Sequence, residues 1–265
     1  MKLKVRLESR LSMLQKRSDQ ILAIVNQAKR IEVNTLAQQL GVSKVTIRKD
    51  LTELEQKGLL QRQHGYAMRN NPDDLNFRLA QNYEVKSQIA AKAAAQVVDN
   101  STIMIESGST CALLAEKLGQ QKKHVTIITI SYFIANFVAA YPNLDVFVLG
   151  GKYQPEAQVA VGPLAKQVLQ NFQVQQLFVG TDGFTPTQGF FGNDIMRTDV
   201  VQAMAQQAQQ VIILTDATKF QAPSLVHQFD LTQVQQVITD PALDPVAQGA
   251  LQQANVQVTL SAPVQ

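Results

Sequence analysis

The sequence predicts an α/β protein: a small N-terminal winged helix-turn-helix domain followed by a larger open α/β sheet domain. Three observations predict this. The hydrophobic period changes near residue 70, from helical spacing to short apolar runs alternating with helical patterns. A glycine turn followed by a serine-capped helix lies before that point. Charge divides at the same place: residues 1–69 hold fourteen Lys and Arg against six Asp and Glu, a net of +8. Residues 70–265 hold ten against fifteen, a net of −5. The overall +3 therefore hides a basic part suited to a polyanion and a mildly acidic body with another task.

Composition narrows the function classes. At 265 residues, 45% hydrophobic and 17% charged, the chain is long enough for two packed domains and excludes wholesale disorder. Cys111 is its only cysteine, which excludes a disulfide framework and a cysteine-rich zinc site. His64, His124 and His227 are far apart and show no metal-ligand spacing, so neither metal nor cofactor is expected. Lys2, Lys4, Arg6, Glu8, Arg10 and Asp19 interrupt the first nineteen residues, leaving no signal-peptide core. No run approaches the roughly 18 apolar residues of a membrane span. The expectation is a soluble protein of a reducing, cytoplasmic compartment with no membrane partner.

Residues 1–16 read as an N-terminal extension and 17–69 as the winged helix-turn-helix domain. Apolar residues recur at helical spacing at Ile21, Leu22, Val25 and Ala28, then Leu36, Ala37 and Leu40, then Ile47, Leu51 and Leu54. Gly41 ends the second of these helices and Ser43 caps the third. Projected at about 100° per residue, Ile47, Leu51 and Leu54 share one buried arc, and Lys44, Val45, Arg48 and Lys49 lie opposite. Such a face suits the major groove, where Arg or Lys pairs with guanine O6/N7 and a valine methyl touches a thymine methyl. Thr46 flanks it, placed for a phosphate. Gly58–Tyr66 reads as two short strands around a turn, a wing offering Arg62 and His64 to the backbone or minor groove. The expected DNA-binding set is Ser43, Lys44, Val45, Thr46, Arg48, Lys49, Arg62 and His64 on double-stranded DNA.

The polar cluster from Arg69 to Asp74 marks a boundary, and residues 70–82 read as a linker. An alanine-rich helix, roughly Tyr83–Val98, opens the second domain, expected over 83–265. Strands are expected at Thr102–Glu106, Val125–Ile130, Val146–Leu149, Leu177–Gly180, Val211–Thr215, Val237–Thr239 and Val256–Leu260. Helices fall between them at Ala112–Leu118, Tyr132–Ala140, Pro163–Asn171, Ile195–Gln207 and Asp244–Gln253. That alternation builds a largely parallel open sheet. Open α/β sheets bind ligands beyond the carboxyl ends of their strands. The segments in that position are Glu106-Ser107-Gly108-Ser109-Thr110, Thr129-Ile130-Ser131, Gly150-Gly151-Lys152, Gly180-Thr181-Asp182-Gly183 and Asp216-Ala217-Thr218-Lys219. The first leaves backbone amides at a helix N-terminus, a place favourable to phosphate or carboxylate. Lys152 and Lys219 supply cations, Lys219 within four residues of its strand. The expected effector set is Glu106, Ser107, Gly108, Ser109, Thr110, Thr129, Ser131, Gly150, Gly151, Lys152, Asp182, Gly183 and Lys219.

These residues also carry a resemblance. Ser43, Thr46-Ile47-Arg48-Lys49-Asp50-Leu51, Leu54-Glu55 and Gly58 resemble the helix-turn-helix signature of the DeoR family of bacterial transcriptional regulators, starting near Arg17. Gly65-Tyr66 stands where that family usually has two glycines. Residues 75–260 resemble the family's sensor domain, related to ribose-5-phosphate isomerase, through Glu106–Thr110, Thr129–Ser131, Gly150-Gly151, Gly180–Gly183, Asp216–Lys219 and Ile238-Thr239-Asp240. Ile130 replaces a common asparagine and Arg197 a common glutamate. The text around Gly162-Pro163-Leu164 and Met196–Val201 is similar to a branch found in enteric bacteria. The resemblance implies a repressor controlled by a phosphorylated sugar or related metabolite, acting as a homodimer or homotetramer.

Two other readings stand beside it. One is a sugar-phosphate isomerase-like enzyme with an appended DNA-binding domain, in which Glu106, Asp182 or Asp216 works as acid or base beside Lys219. The other is a body that only dimerises. No His or Cys nucleophile constellation is visible, Cys111 reads as packed inside a helix, and no catalytic residue is expected.

Overall fold

The computed structural model describes residues 17–56, 59–69 and 75–263. The extension expected over 1–16 and the polar cluster from Asn70 to Asp74 lie outside the described residues. The chain forms two compact units, one ending at Glu84 and one starting at Val85.

The first unit opens with helix α1 over residues 17–28. It continues with β1 (Arg30–Glu32), α2 (Val33–Gln39), α3 (Lys44–Gln56), β2 (Gln61–Gln63), β3 (Tyr66–Met68) and α4 (Leu75–Ala80). The helices form because their apolar residues fall on one side: Ile21, Leu22, Val25, Leu36, Ala37, Ile47, Leu51 and Leu54 are all buried. Each large side chain contributes on the order of 1.5–3 kcal/mol by leaving water. Gly41 takes φ +62°, the left-handed conformation that lets α2 end and α3 start within a few residues. Ser43 Oγ accepts the Thr46 N–H at 3.1 Å, which caps α3 as its sequence position predicts. Asp50, 5% exposed on the inner side of α3, is held by Arg17 of α1 through Nε–Oδ2 at 2.5 Å and Nη2–Oδ1 at 3.0 Å. This bidentate pair offsets the burial of a carboxylate under the helices.

Strands β2 and β3 are the expected wing, joined by a two-residue turn in which His64 and Gly65 have φ +49° and +84°. The sequence reading missed β1, which pairs antiparallel with β3 and makes a three-stranded sheet in the order β1-β3-β2. A strand of three residues with only Ile31 buried has no alternation long enough to read. The segment expected as a linker holds α4, whose Leu75, Leu79 and Ala80 are buried.

The second unit contains α5 (Tyr83–Ala94, starting at the boundary), β4 (Ser101–Ile105), α6 (Ser109–Gln121), β5 (Val125–Thr129), α7 (Tyr132–Phe137) and β6 (Leu144–Val148). There follow β7 (Lys152–Gln154), β8 (Val159–Val161), α8 (Pro163–Leu169), β9 (Val174–Val179), β10 (Gly183–Thr185), β11 (Gly189–Gly192) and α9 (Ile195–Gln206). The last elements are β12 (Ala208–Leu214), a 3-10 turn (Ala217–Phe220), β13 (Val226–Phe229), β14 (Gln236–Thr239), α10 (Pro245–Gln253) and β15 (Gln257–Leu260). All seven expected strands form one sheet in the order β15-β14-β12-β9-β4-β5-β6, and every pairing in it is parallel. Its central strands are covered on both faces, so Ile103, Met104, Ile105, Leu177, Phe178 and Val179 are buried without alternation. Two small antiparallel pieces were not expected: the β7–β8 hairpin and a sheet in the order β10-β11-β13. Phe184, Phe190 and Phe220 of the latter region pack with ring centroids 4.9–6.5 Å apart and anchor it to the core.

In the first unit Asp19 of α1 has its carboxyl raised to about 7, by burial first and then by the neighbouring charge of Glu84, to which it hydrogen-bonds. A folded-state value above the unfolded one means that stability is fully present below about pH 4 and is lost as pH rises toward 7. Asp19→Asn should therefore melt at the same temperature as the wild type near pH 4 and higher than it at pH 8. Thermal unfolding followed by circular dichroism across that range checks the sign; a gap that does not widen with pH removes Asp19 as its source.

Candidate functional site

The first site is the outer face of α3 with the wing. Burial of Ile47, Leu51 and Leu54 turns the opposite face outward, and Ser43, Lys44, Val45, Arg48 and Lys49 are exposed there. Val45 is 77% exposed among these cations, so its methyl groups are available to an apolar partner. Thr46 is half-buried, with its hydroxyl 2.8 Å from Ser43 Oγ. His64 stands exposed at the wing turn, and Arg62 is half-buried on β2. A groove of about 770 Å³ separates α3 from the wing, lined by Asn34, Arg48, Glu55, Arg62, His64 and Tyr66. The wing is tied down at its far side, where the Val33 N–H donates to Gly65 O at 3.0 Å and the Arg30 guanidinium lies 3.8 Å above the Tyr66 ring.

The second site follows from the strand order. From β4 the chain builds outward through β5 and β6 on one side and through β9, β12, β14 and β15 on the other. The order therefore switches between β4 and β9, where a crevice at the carboxyl ends binds ligands in open α/β sheets. Glu106 follows β4 directly; its N–H donates to Phe178 O at 2.9 Å, and the residue is 4% exposed. Ser107 Oγ donates to Glu106 Oε1. Gly108 then takes φ +87° and opens α6 with Ser109 and Thr110 buried behind it, and no atom lies within 4 Å of where a β-carbon would stand on Gly108. Across the switch, Asp182 follows β9, its N–H donating to Phe191 O at 2.8 Å.

Arg197 joins the two sides. Its Nη2 donates to Asp182 Oδ2 at 2.9 Å and to Asn193 Oδ1, and its Nε lies 3.8 Å from Glu106 Oε1. The side chain is only 11% exposed. It is positioned by the first turn of α9, where Asp194 accepts the Arg197 N–H at 2.7 Å and the Gln154 amide at 3.1 Å. Burial pushes the Asp194 carboxyl upward, but these hydrogen bonds and the Arg197 charge outweigh it and hold the group below the usual carboxylate range. Sequence reasoning noted Arg197 only as a departure from the family pattern. Its carboxylate partners are 15 and 91 residues away, so no local spacing reveals them.

The remaining expected residues divide. Thr129 and Ser131 are fully buried: Thr129 Oγ1 donates to Glu106 O at 2.9 Å, and Ser131 Oγ accepts the Ile134 N–H at 3.1 Å to cap α7. They brace the strand ends from within. Gly183 packs against backbone, since a β-carbon there would lie 2.5 Å from Ser224 N; Gly151 likewise would meet Val161 O at 2.5 Å. Gly150 and Lys152 are exposed at and after the end of β6, an edge strand. Lys219 is half-buried on the 3-10 turn that Asp216 caps, and among the described residues its ammonium makes no ion pair. Cys111 is fully buried; burial first, and the Glu106 charge second, push its thiol well upward, which keeps it protonated. No group of His, Cys, Asp and Glu among the described residues could hold a metal ion, and no helix among them is long and apolar enough to cross a membrane.

Comparison with known proteins matches the two parts of the chain separately. Residues 17–73 match the DeoR-like helix-turn-helix domain, and residues 81–241 match the DeoR C terminal sensor domain. An L-fucose operon activator of Haemophilus influenzae is 28% identical over 92% of this chain and 99% of that protein. A putative aga operon transcriptional repressor of Escherichia coli O157:H7 is 27% identical over 96% of each. Among solved structures, ribose 5 phosphate isomerase A from Neisseria gonorrhoeae is 18% identical with a TM-score of 0.40, covering 52% of this chain and 54% of that one, too distant a likeness to bear on function. The chain thus belongs to the DeoR family of transcriptional regulators, with that family's helix-turn-helix domain at its N-terminal end and its sensor domain behind.

Proposed function

We propose that this protein is a cytoplasmic transcriptional repressor whose hold on an operator is set by a phosphorylated sugar or related metabolite bound beyond the carboxyl ends of β4 and β9. The observation that supports the effector site is the convergence of Glu106, Asp182 and Arg197 at the place where the strand order switches. On this reading Ser107, Gly108, Ser109 and Thr110 surround the ligand's anionic group with backbone amides and hydroxyls, and Lys219 adds a cation. Asp182, Glu106 and Arg197 meet the remainder. Thr129, Ser131, Gly151 and Gly183 shape the crevice without touching the ligand, and Gly150 and Lys152 border it.

The effector acts only through a difference in its affinity for operator-competent and operator-incompetent states of the protein. A homodimer or homotetramer supplies two α3 helices, which meet half-sites about one helical turn, roughly 34 Å, apart. Binding is favoured over turnover by the state of the carboxylates. Glu106 is bonded by Ser107 and faces Arg197, Asp182 is ion-paired, and Asp216 caps the 3-10 turn, so each is already engaged within the protein.

Thermal-shift titration of the full chain with a panel of phosphorylated sugars tests the effector, because a ligand of the folded state raises the melting temperature by mass action. At least one sugar phosphate should give a saturable shift and release operator DNA in a gel-shift assay. Lys219→Ala and Arg197→Lys should keep operator affinity and lose the response; a response that survives both takes these residues out of the crevice, and consumption of the sugar phosphate establishes the isomerase-like alternative. At the DNA face, Arg48→Ala should weaken specific operator binding by about 1–3 kcal/mol if the guanidinium reads a base. An equal loss on operator and random duplex assigns Arg48 to the phosphate backbone instead.

A further inference from the structure

Arg62 is the cation that the wing offers to DNA on sequence grounds, and the structure turns it toward the recognition helix. Its backbone N–H donates to Glu55 Oε1 at 3.0 Å, and its Nη1 donates to Thr52 Oγ1 at 2.7 Å while lying 3.7 Å from Glu55 Oε2. Thr52 Oγ1 in turn donates to Arg48 O at 2.8 Å. Arg48, Thr52 and Glu55 are spaced by four and three residues along α3 and therefore share one face of it, the face that borders the groove. One carboxylate thus holds both the backbone and the side chain of Arg62, and one hydroxyl links Arg62 to the turn of α3 that carries Arg48.

We infer that Arg62 is a positioning residue, latched by Glu55 and Thr52 so that the wing and the Arg48 face of α3 meet DNA as one preset surface, and that Glu55 cancels the Arg62 charge toward phosphate. Two features favour this over a direct phosphate contact. The side chains are 31% and 40% exposed, where an isolated ion pair is worth little, yet a backbone N–H anchored to a charged acceptor fixes β2 on α3 whatever the side chain contributes. A guanidinium already facing a carboxylate brings no net charge to the duplex and so displaces no counterion. The wing is held independently on its other edge by the Val33–Gly65 hydrogen bond, so the groove width is set from both sides. Sequence-specific contacts need that preset spacing, whereas non-specific binding needs only charge.

The test is the salt dependence of binding by the full chain to a duplex of arbitrary sequence, plotted as log K against log salt. Glu55→Gln keeps an oxygen to accept the Arg62 N–H and removes the charge, so the hairpin stays anchored while Arg62 becomes free to meet a phosphate. The slope should steepen by about 0.9, the increment of one extra phosphate, with tighter binding at low salt. Arg62→Ala in the wild-type background should leave the slope unchanged, and adding it to Glu55→Gln should return the slope to the wild-type value. An unchanged slope in Glu55→Gln overturns the proposal, as does a slope shallower by about 0.9 in Arg62→Ala alone. A purely architectural effect moves the melting temperature but not the slope. Should Arg62→Ala unfold, Glu55→Gln decides by itself.

Discussion

An isolated carboxylate taken out of water costs several kcal/mol unless something compensates it, and Glu106 is 4% exposed at the end of the strand from which the larger sheet grows in both directions. Its compensation comes from two places, Ser107 beside it and Arg197 at the start of α9, and Asp182 at the end of β9 shares that guanidinium and orients it. This arrangement constrains the rest of the unit. Arg197 reaches the crevice only if α9 begins where Asp194 caps it, and Asp182 stands opposite only if β9 lies next to β4. The β10–β11 hairpin lies between β9 and α9 in the chain and leads into the start of that helix, with Phe184 and Phe190 packed against each other. Removing the guanidinium altogether would leave two carboxylates facing each other with little solvent, which is why a lysine is the informative substitution there.

The parts legible in the sequence were those whose signal is periodic or stereochemical. The seven strands, of four to seven residues, were visible because the central ones carry continuous buried apolar runs, as a parallel sheet covered on both faces requires. The recognition helix was visible because Gly41 and Ser43 mark its start by backbone geometry and capping, both local properties. What escaped was short or long-range. β1, β7, β8, β10 and β11 have three or four residues each and owe their existence to partners elsewhere in the chain. α4 did leave a trace, Leu75 and Leu79 at helical spacing, but the polar cluster before it obscured the period.

The candidate sites divide by the same criterion. The residues named by the strand-end rule do sit together along one edge, since Glu106, Thr129, Asp182 and Lys219 all lie at or just beyond the ends of parallel strands. It could not tell an outward hydroxyl from an inward one. Thr129 and Ser131 are fully buried and bonded to backbone, a fact that depends on the register of β4 against β5 rather than on residue type. Arg197 shows the converse: a residue noticed only for its unexpected charge turns out to link three segments that sequence reading had treated separately.

The charge asymmetry acquires a finer meaning from the same contacts. Of the cations in the first unit, Arg17 is committed to Asp50 beneath the helices and Arg62 to Glu55 at the wing, so neither is among the cations that stand unpaired toward DNA. Lys44, Arg48 and Lys49 remain exposed around Val45 on a single helical face. Exposed charge on the groove-reading surface raises affinity where base edges can be sampled, while paired cations add little sequence-independent attraction. On the proposed latch, specificity in such a regulator comes from cations withheld from DNA as well as from those presented to it, because a protein that bound every duplex tightly would leave an effector too small a difference to act upon.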